Sequence, residues 1–349
     1  MAFIYRRIYR ILVPLGLLLA FVLWRNKHQA EEASATVRYT PPLPPLPTGS
    51  AQPQSCFVFI TRTMSLTKVR RTMFDVEQRF NQRYHYPYVF LSEHPFSQAF
   101  QESVKNMASS PVHFALIEDW QEPEWIDVNR VKGRIGFRNM VRYWSGPFAR
   151  HPAIQPYRYI WRLEPGSHYT CDFEYDPFVE MKQMQLKYGF AISMQEIPSA
   201  VPSLWQTFNK FISQHSDSLK HRNSTLDWLI DSKSNEFSRC HFITNFELID
   251  LDFMRSTEYQ QLFEFLDKQA GIYYEQWSDA SIRSLAVALL LSHKQVWWLA
   301  DAGYTHDLLL NCPADHHRQM RCHCDPSKST HLLPMSCSVY WNSALNTQV

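Results

Sequence analysis

The sequence predicts an α/β fold, a three-layer α/β/α sandwich. Its globular part opens with an apolar run at residues 57–60, and a second apolar run follows at 88–91. Between them, apolar residues at 66, 69, 73, 76 and 80 recur every three or four positions, which indicates an amphipathic helix. A strand, a helix and a strand of these lengths form a right-handed crossover between parallel strands.

Later segments repeat this alternation of strand and helix. Further strands are predicted at residues 159–163, 190–194 and 296–299, and helices at 259–268 and 280–291. Aromatic and apolar residues recur without a low-complexity break after Cys56, so residues 56–349 are predicted to form one globular domain.

Composition excludes several classes of protein. Thirty-five basic residues against 33 acidic ones leave a net charge of +2, which is too balanced for a general nucleic-acid binder. The chain has 9 glycines and neither a GxGxxG nor a GxxxxGK[ST] motif, so a dinucleotide-binding dehydrogenase and a P-loop NTPase lack support.

The amino terminus indicates a membrane anchor. Residues 11–24 are uncharged and mostly apolar, and three arginines precede them. We predict a cytosolic tail at 1–10, a transmembrane signal anchor at 11–24 and a proline-rich luminal stalk at 25–55. A cleaved signal peptide is the alternative. A luminal domain would also make Asn223, in an Asn-Ser-Thr sequon, available for glycosylation.

The predicted strand at 159–163 ends in polar residues. Alternation places Arg162 and Glu164 on one face, and the following Pro165 and Gly166 turn the chain sharply. Sites in such sheets lie at the carboxyl ends of the strands, so Glu164 is a candidate ligand for a metal or phosphate site. An Arg-Glu pair on a solvated sheet edge is the alternative.

A series of motifs in order resembles the fungal Golgi α-1,2-mannosyltransferase family. They are YPYVFL at 86–91, WRLEPG at 161–166, YDPF at 175–178, YGFAIS at 188–193, EIP at 196–198, NFE at 245–247, DLDF at 250–253, YEQWSD at 274–279, GYTH at 303–306 and NCP at 311–313. The resemblance implies a GT-A-like fold with a mixed, mainly parallel sheet and a single-pass type II Golgi membrane protein. It also implies retaining transfer of mannose from GDP-mannose, with Mn²⁺, to a mannosyl acceptor on O-linked or N-linked glycans or mannoproteins.

The resemblance also implies a metal site. Glu164 corresponds to the family's metal-binding carboxylate and His306 to its imidazole ligand, a donor pair that suits Mn²⁺. Arg62 and Arg162 are candidates for binding the donor diphosphate. Asp250 and Asp252 form a DxD motif, the ligand pair that a motif scan would choose instead.

The same resemblance assigns the remaining site residues. Glu247 occupies the position of the family's proposed nucleophile, and both a covalent and a front-face mechanism remain open. Glu196 and Asp279 match family positions near the acceptor, and Trp277 could stack on a pyranose face. Each of these three also has a purely structural interpretation.

Three residues depart from the family pattern. Phe137 stands where the family has tyrosine, Ile243 where it has tryptophan, and Arg283 where it has histidine. The first two departures motivate an alternative function, a catalytically weakened homologue that binds glycans or organises a mannosyltransferase complex.

Seven cysteines in a luminal domain allow three disulfides and leave one thiol, for which Cys56 is the candidate. The four cysteines from 312 to 337, with nearby histidines, predict a disulfide-stapled carboxyl-terminal tail, and a zinc site is the alternative.

Overall fold

The computed structural model describes residues 54–216, 225–231, 233–315, 319–338 and 341. The predicted cytosolic tail and transmembrane anchor, nearly all of the predicted stalk, and Asn223 lie outside these residues. Within the described ranges, no helix has the length and apolar character needed to cross a membrane.

Three sheets contain the strands of the described residues. In chain order the strands are β1 (Ser55–Ile60), β2 (Tyr88–Ser92), β3 (Val112–Leu116), β4 (Tyr159–Leu163), β5 (His168–Tyr169), β6 (Tyr188–Phe190), β7 (Ser193–Gln195), β8 (Cys240–Phe242), β9 (Phe246–Asp250), β10 (Val296–Trp298), β11 (Tyr304–His306) and β12 (Leu309–Asn311).

Helices connect most of these strands. In chain order they are α1 (Leu66–Val76), α2 (Gln98–Lys105), α3 (Ile135–Ser145), α4 (Pro177–Gln183), α5 (Leu204–Gln214), α6 (Leu251–Arg255), α7 (Thr257–Asp267), α8 (Gly271–Tyr274) and α9 (Asp279–Leu290). A π-helical segment, Glu77–Asn81, and a short helical turn, Gln82–Tyr84, extend α1. Short 3-10 turns occupy Thr63–Ser65, Val128–Arg130, Pro147–Arg150, Pro198–Ala200, Leu226–Leu229, His293–Gln295, Pro326–Lys328 and Thr330–Leu332.

The main sheet has seven strands in the order β10-β6-β9-β4-β1-β2-β3. All neighbouring pairs are parallel except those of β9, which runs antiparallel to both β4 and β6. The predicted parallel pairing of the first two strands is confirmed, since β1 pairs with β2 from Phe57 to Ile60. The sheet is thus mixed and mainly parallel, as predicted.

Both faces of this sheet are covered by other elements. Side chains alternate along each strand, so neighbouring residues of β1 contact opposite layers. On one face the ring of Phe57 packs 5.5 Å from Trp161 and 6.0 Å from Phe178 of α4. On the other face Val58 belongs to a buried cluster that includes Trp144 of α3 and residues of α7 and α9. The three-layer prediction is therefore confirmed.

Two predicted strands differ from those of the structure. The run at 190–194 is not one strand: β6 ends at Phe190, and Ser193 begins β7, which pairs with β8 in a separate two-stranded sheet. The chain leaves the main sheet between Phe190 and Ser193, and the apolar residues of the sequence do not indicate this change of direction. The strand predicted at 296–299 ends at Trp298, whereas the one at 159–163 has the bounds of β4.

The structure pairs six cysteines in disulfides, Cys171–Cys322, Cys240–Cys337 and Cys312–Cys324, and Cys56 is a buried free thiol. The sulfurs of Cys171, Cys322 and Cys324 lie within 4.8 Å of one another. Because all three sulfurs are in disulfides, they offer no thiolate to zinc. The disulfide interpretation of the tail fits the structure, and the zinc alternative does not.

Candidate active site

The candidate site begins where the chain leaves the sheet after β4. Glu164 directly follows this strand, and the turn beyond it has a φ of 96° at Gly166, a conformation that glycine adopts without steric cost. Thr72 of α1 holds the turn, since its Oγ1 accepts from the Gly166 N–H at 3.0 Å and donates to the Ser167 carbonyl at 2.9 Å. Glu164 is thereby fixed at the edge where the parallel strands end.

One guanidinium joins three carboxylates at this edge. Arg162 lies opposite Glu247 in the β4–β9 pair, and its Nη1 donates to Glu247 Oε2 at 3.4 Å. The same Nη1 donates to Asp279, and Nη2 lies 3.5 Å from Glu164 Oε2. The guanidinium also stacks over the ring of Trp144, 4.2 Å from its centroid. Arg162 is therefore fixed between the sheet and α3.

Glu247 is the most enclosed of the three carboxylates, with no exposed surface. Its Oε1 accepts from the Tyr188 hydroxyl at 3.0 Å and from Arg283 Nε at 3.2 Å, while Oε2 faces Arg162. Burial raises the pKa of Glu247, and the charges of Arg283 and Arg162 oppose that rise. Its carboxylate is consequently held in one orientation by three donors.

Asp279 begins α9 and faces the same guanidinium. Its Oδ2 also accepts from the Thr244 hydroxyl at 2.8 Å. Burial would raise the pKa of Asp279, but the charge and hydrogen bond of Arg162 and the Thr244 hydrogen bond outweigh burial, so the pKa falls below its usual value. The Asp279 side chain, 11% exposed, therefore stays ionised at neutral pH and remains reachable from the surface.

A small second sheet brings His306 to Glu164. Strand β5 follows the Glu164 turn and pairs with β11, which ends at His306. Ser167 Oγ lies 3.3 Å from His306 Nδ1 and 2.9 Å from the Tyr304 hydroxyl. Burial raises the pKa of Glu164, whereas Arg162 and then His306 lower it, so the imidazole acts on this carboxylate electrostatically.

This donor pair fits a divalent cation. The Glu164 side chain is 24% exposed, and Ser167 contacts the ring of His306 at Nδ1. The other ring nitrogen, Nε2, lies 3.5 Å from Oδ2 of the exposed Asp307, so a metal ion bound at Nε2 would lie beside this carboxylate. A carboxylate oxygen and an imidazole nitrogen suit Mn²⁺. Two protein ligands would leave the other coordination positions to phosphate oxygens and water.

The DxD pair lies at the opposite edge of the sheet. Because β9 is antiparallel to β4, Asp250 lies beside Tyr159, where β4 begins. Asp250 is fully buried and already bonds Arg158 at 3.2 Å and Lys187 at 2.6 Å. Its role is structural, and it cannot share a metal with Glu164.

The prediction that Trp277 stacks on a sugar is wrong for this structure. The side chain is 1% exposed, and its Nε1 donates to Glu275 Oε2 at 2.6 Å. A Cβ placed on Gly271 would lie 2.2 Å from the indole, so the ring packs directly on that backbone. Trp277 is a core residue with no face open to a ligand.

The other two predicted residues lie near the rim. Arg62 follows β1, its side chain is 51% exposed, and it pairs with Glu93 after β2. Glu196 accepts hydrogen bonds from Ser278 at 3.2 Å and Ser281 at 2.9 Å, around the first turn of α9. Arg62 therefore shares the edge of Glu164, and Glu196 holds the helix end that carries Asp279.

Sequence reasoning missed the partners that fix the carboxylates. Tyr188 and Thr244 each donate to one of them, and Arg283, noted only as a departure, bonds Glu247. Tyr188 is the first residue of the YGFAIS motif, but its hydrogen bond to Glu247 depends on β6 lying beside β9. The pattern along a single strand does not reveal such a neighbour.

The fold and the site define a glycosyltransferase with a GT-A-like fold. The family model described as glycolipid 2-alpha-mannosyltransferase matches residues 22–346, and the chain belongs to this family. It is 38% identical over 288 residues to O-glycoside alpha-1,2-mannosyltransferase homolog 2 of Schizosaccharomyces pombe, a match that covers 78% of this chain and 76% of that protein.

Solved structures agree with this assignment. Core-mannan synthase A from Aspergillus fumigatus, in its Mn/GDP form, superposes with a TM-score of 0.78 at 29% identity, covering 86% of this chain and 87% of that one. A Saccharomyces cerevisiae mannosyltransferase in complex with GDP gives a TM-score of 0.79 at 30% identity, with 84% and 82% covered.

Proposed function

We propose that this glycosyltransferase moves mannose from GDP-mannose to a mannosyl acceptor, forms an α-1,2 linkage with retention, and requires Mn²⁺. One observation carries the proposal. At the carboxyl ends of the parallel strands, Arg162 contacts the carboxylates of Glu247, Asp279 and Glu164, and His306 acts on Glu164. The Mn/GDP and GDP complexes of the similar structures support the choice of metal and nucleotide.

Binding of the donor would use residues at the carboxyl ends of β1, β4 and β11. Glu164 and His306 would hold Mn²⁺, which when bound neutralises charge on the departing diphosphate. Arg62 lies after β1 with about half of its side chain exposed and can reach a phosphate there. Arg162 is almost fully enclosed, so its main task is to order the three carboxylates.

Glu247 would act on the reacting sugar through its charge and without contact, since it has no exposed surface, whereas Asp279 would contact the acceptor. The complete enclosure of Glu247 favours the front-face mechanism, in which a fixed negative charge stabilises a positively charged sugar. Asp279 is ionised and partly reachable, so it can accept a hydrogen bond from an acceptor hydroxyl. Glu196 would keep Asp279 in place through the start of α9.

We further propose that the protein is a single-pass type II protein of the Golgi membrane, with its catalytic domain in the lumen. The charges and the apolar run at 11–24 motivate this placement. Protease added to sealed Golgi vesicles should leave the domain intact, and digestion of the domain would reverse the topology.

Transfer assays test the function and its alternative together. The purified luminal domain, GDP-mannose and Mn²⁺ are offered methyl α-mannoside, manno-oligosaccharides and a mannoprotein. We expect α-1,2-linked product on at least one acceptor, and the preferred acceptor identifies the glycan class. Tight glycan binding without any transfer would instead support the non-catalytic scaffold.

Substitution Phe137→Tyr tests the first departure from the family. Phe137 lies in the first turn of α3 and is 52% exposed, so an added hydroxyl is not buried. We expect stability within about 0.5 kcal/mol of the wild type, unchanged GDP affinity and roughly tenfold faster single-turnover transfer. The matched control is Phe74→Tyr in α1, also 52% exposed, which should change none of these. Slower transfer by Phe137→Tyr would show that a hydroxyl at this position does not assist transfer in this protein.

A further inference from the structure

We infer that Arg283 is a positioning residue that fixes the Glu247 carboxylate for the transfer reaction, an inference that rests on the proposed function. Arg283 lies in α9, all twelve residues of which are buried, and it has no exposed surface. Arginine is almost never fully buried unless it is paired. A charge in the middle of this buried helix therefore needs an explanation beyond packing.

The guanidinium is anchored on three separate helices. Its Nη2 donates to the Trp144 carbonyl of α3 at 2.7 Å, and Nη1 contacts the Tyr259 hydroxyl of α7 and Met254 Sδ of α6, the latter at 2.8 Å. Only Nε is directed to Glu247, at 3.2 Å from Oε1. Because its other nitrogens are held, the guanidinium has one orientation, and so does the hydrogen bond it donates.

This donor completes the set around Glu247. The titratable and charged groups that face this carboxylate are Arg162 on β4, Tyr188 on β6, and Asp279 and Arg283 on α9; Tyr259 on α7 lies behind Arg283. Arg283 is the strongest of the charges that lower the pKa of Glu247 against the effect of burial. Without it, one oxygen would retain only a hydroxyl donor, and protonation would become easier.

Arg283 cannot touch a substrate, because it is wholly enclosed. Its hydrogen bond to the carboxylates of the site goes to Glu247 Oε1 at 3.2 Å, whereas it influences Asp279 by charge alone, so we expect its effect on the reaction to pass through Glu247. This predicts a selective kinetic pattern in which kcat falls while KM for GDP-mannose and affinity for GDP do not change. A residue that served only the general fold would not produce this pattern.

The experiment compares Arg283→Met and Arg283→Lys with the wild-type luminal domain. The control is Arg142→Met, which breaks another partly buried ion pair, with Asp267 at 2.9 Å, outside the site. We expect Arg283→Met to lower kcat at least about tenfold with KM unchanged, and Arg283→Lys to restore part of the loss. Loss of the cation raises the Glu247 pKa, so the acid limb of the pH dependence of kcat should move to higher pH in Arg283→Met.

Repeating the Arg283 substitutions in the Glu247→Gln variant distinguishes a positioning role from a role in folding. In Glu247→Gln, adding either Arg283 substitution should leave kcat nearly unchanged, because the residue it acts through is already altered. Equal losses in both backgrounds would overturn the inference, and so would an unmoved acid limb. If Arg283→Met does not fold, Arg283→Lys in the two backgrounds decides. A wild type without transfer activity would overturn the proposed function together with this inference. An active wild type whose kcat does not change in the Arg283 variants would overturn the inference alone.

Discussion

Glu247→Gln is expected to lower kcat at least about a hundredfold while GDP affinity in Mn²⁺ stays near that of the wild type. The substitution keeps the volume of a fully buried side chain but removes the charge that Arg162 and Arg283 hold in place. A fixed charge aimed at a developing positive centre contributes on the order of this factor in rate. Single-turnover transfer and calorimetric GDP binding measure the two quantities.

Stability must be followed in the same variant, because breaking a buried ion pair costs about 3–5 kcal/mol. Asp267→Asn is the control, since it breaks the partly buried Arg142–Asp267 pair, which includes none of the site residues. We expect a lower melting temperature from both substitutions and a large rate loss from Glu247→Gln only. Transfer within tenfold of the wild type by a folded Glu247→Gln would exclude Glu247 from the chemistry.

Glu164→Ala and His306→Ala are each expected to weaken Mn²⁺-dependent GDP binding at least about a hundredfold. Neither side chain belongs to the apolar core, and both lie at the sheet edge, so the fold should persist. Without Mn²⁺ the wild type and both variants should bind GDP equally weakly. Calorimetric titrations with and without the metal measure this difference.

The matched control for the metal site is Asp252→Ala. Asp252 belongs to the DxD motif, is 57% exposed and lies at the opposite edge of the sheet. We expect its GDP affinity to equal that of the wild type. Loss of metal-dependent binding in Asp252→Ala, with normal binding in Glu164→Ala, would reverse the assignment of the metal site.

Some of this architecture could be read from the sequence because the relevant signals are local. The mostly apolar run at 159–163 and the Pro165-Gly166 turn predict both the strand and the position of Glu164 at its carboxyl end. Helix periodicity likewise predicts the residues of α1 that face the sheet. These features depend on neighbours within a few positions along the chain.

Other features depend on contacts between distant segments. The DxD pair lies far from Glu164 because β9 is antiparallel, and strand direction leaves no local trace in the sequence. The ring of Trp277 is buried because Gly271 in α8 lacks a side chain and lets it pack against the backbone. Tyr188 reaches Glu247 through the pairing of β6 with β9. Composition and periodicity cannot supply such pairings.

The most direct test of the central claim is a crystal structure of the luminal domain with Mn²⁺ and GDP, with data collected at the manganese absorption edge. We predict one anomalous peak within coordinating distance of Glu164 and His306 and in contact with the GDP diphosphate. A peak at Asp250 and Asp252, or GDP bound away from the carboxyl edge of β4 with no metal at Glu164, would contradict the account.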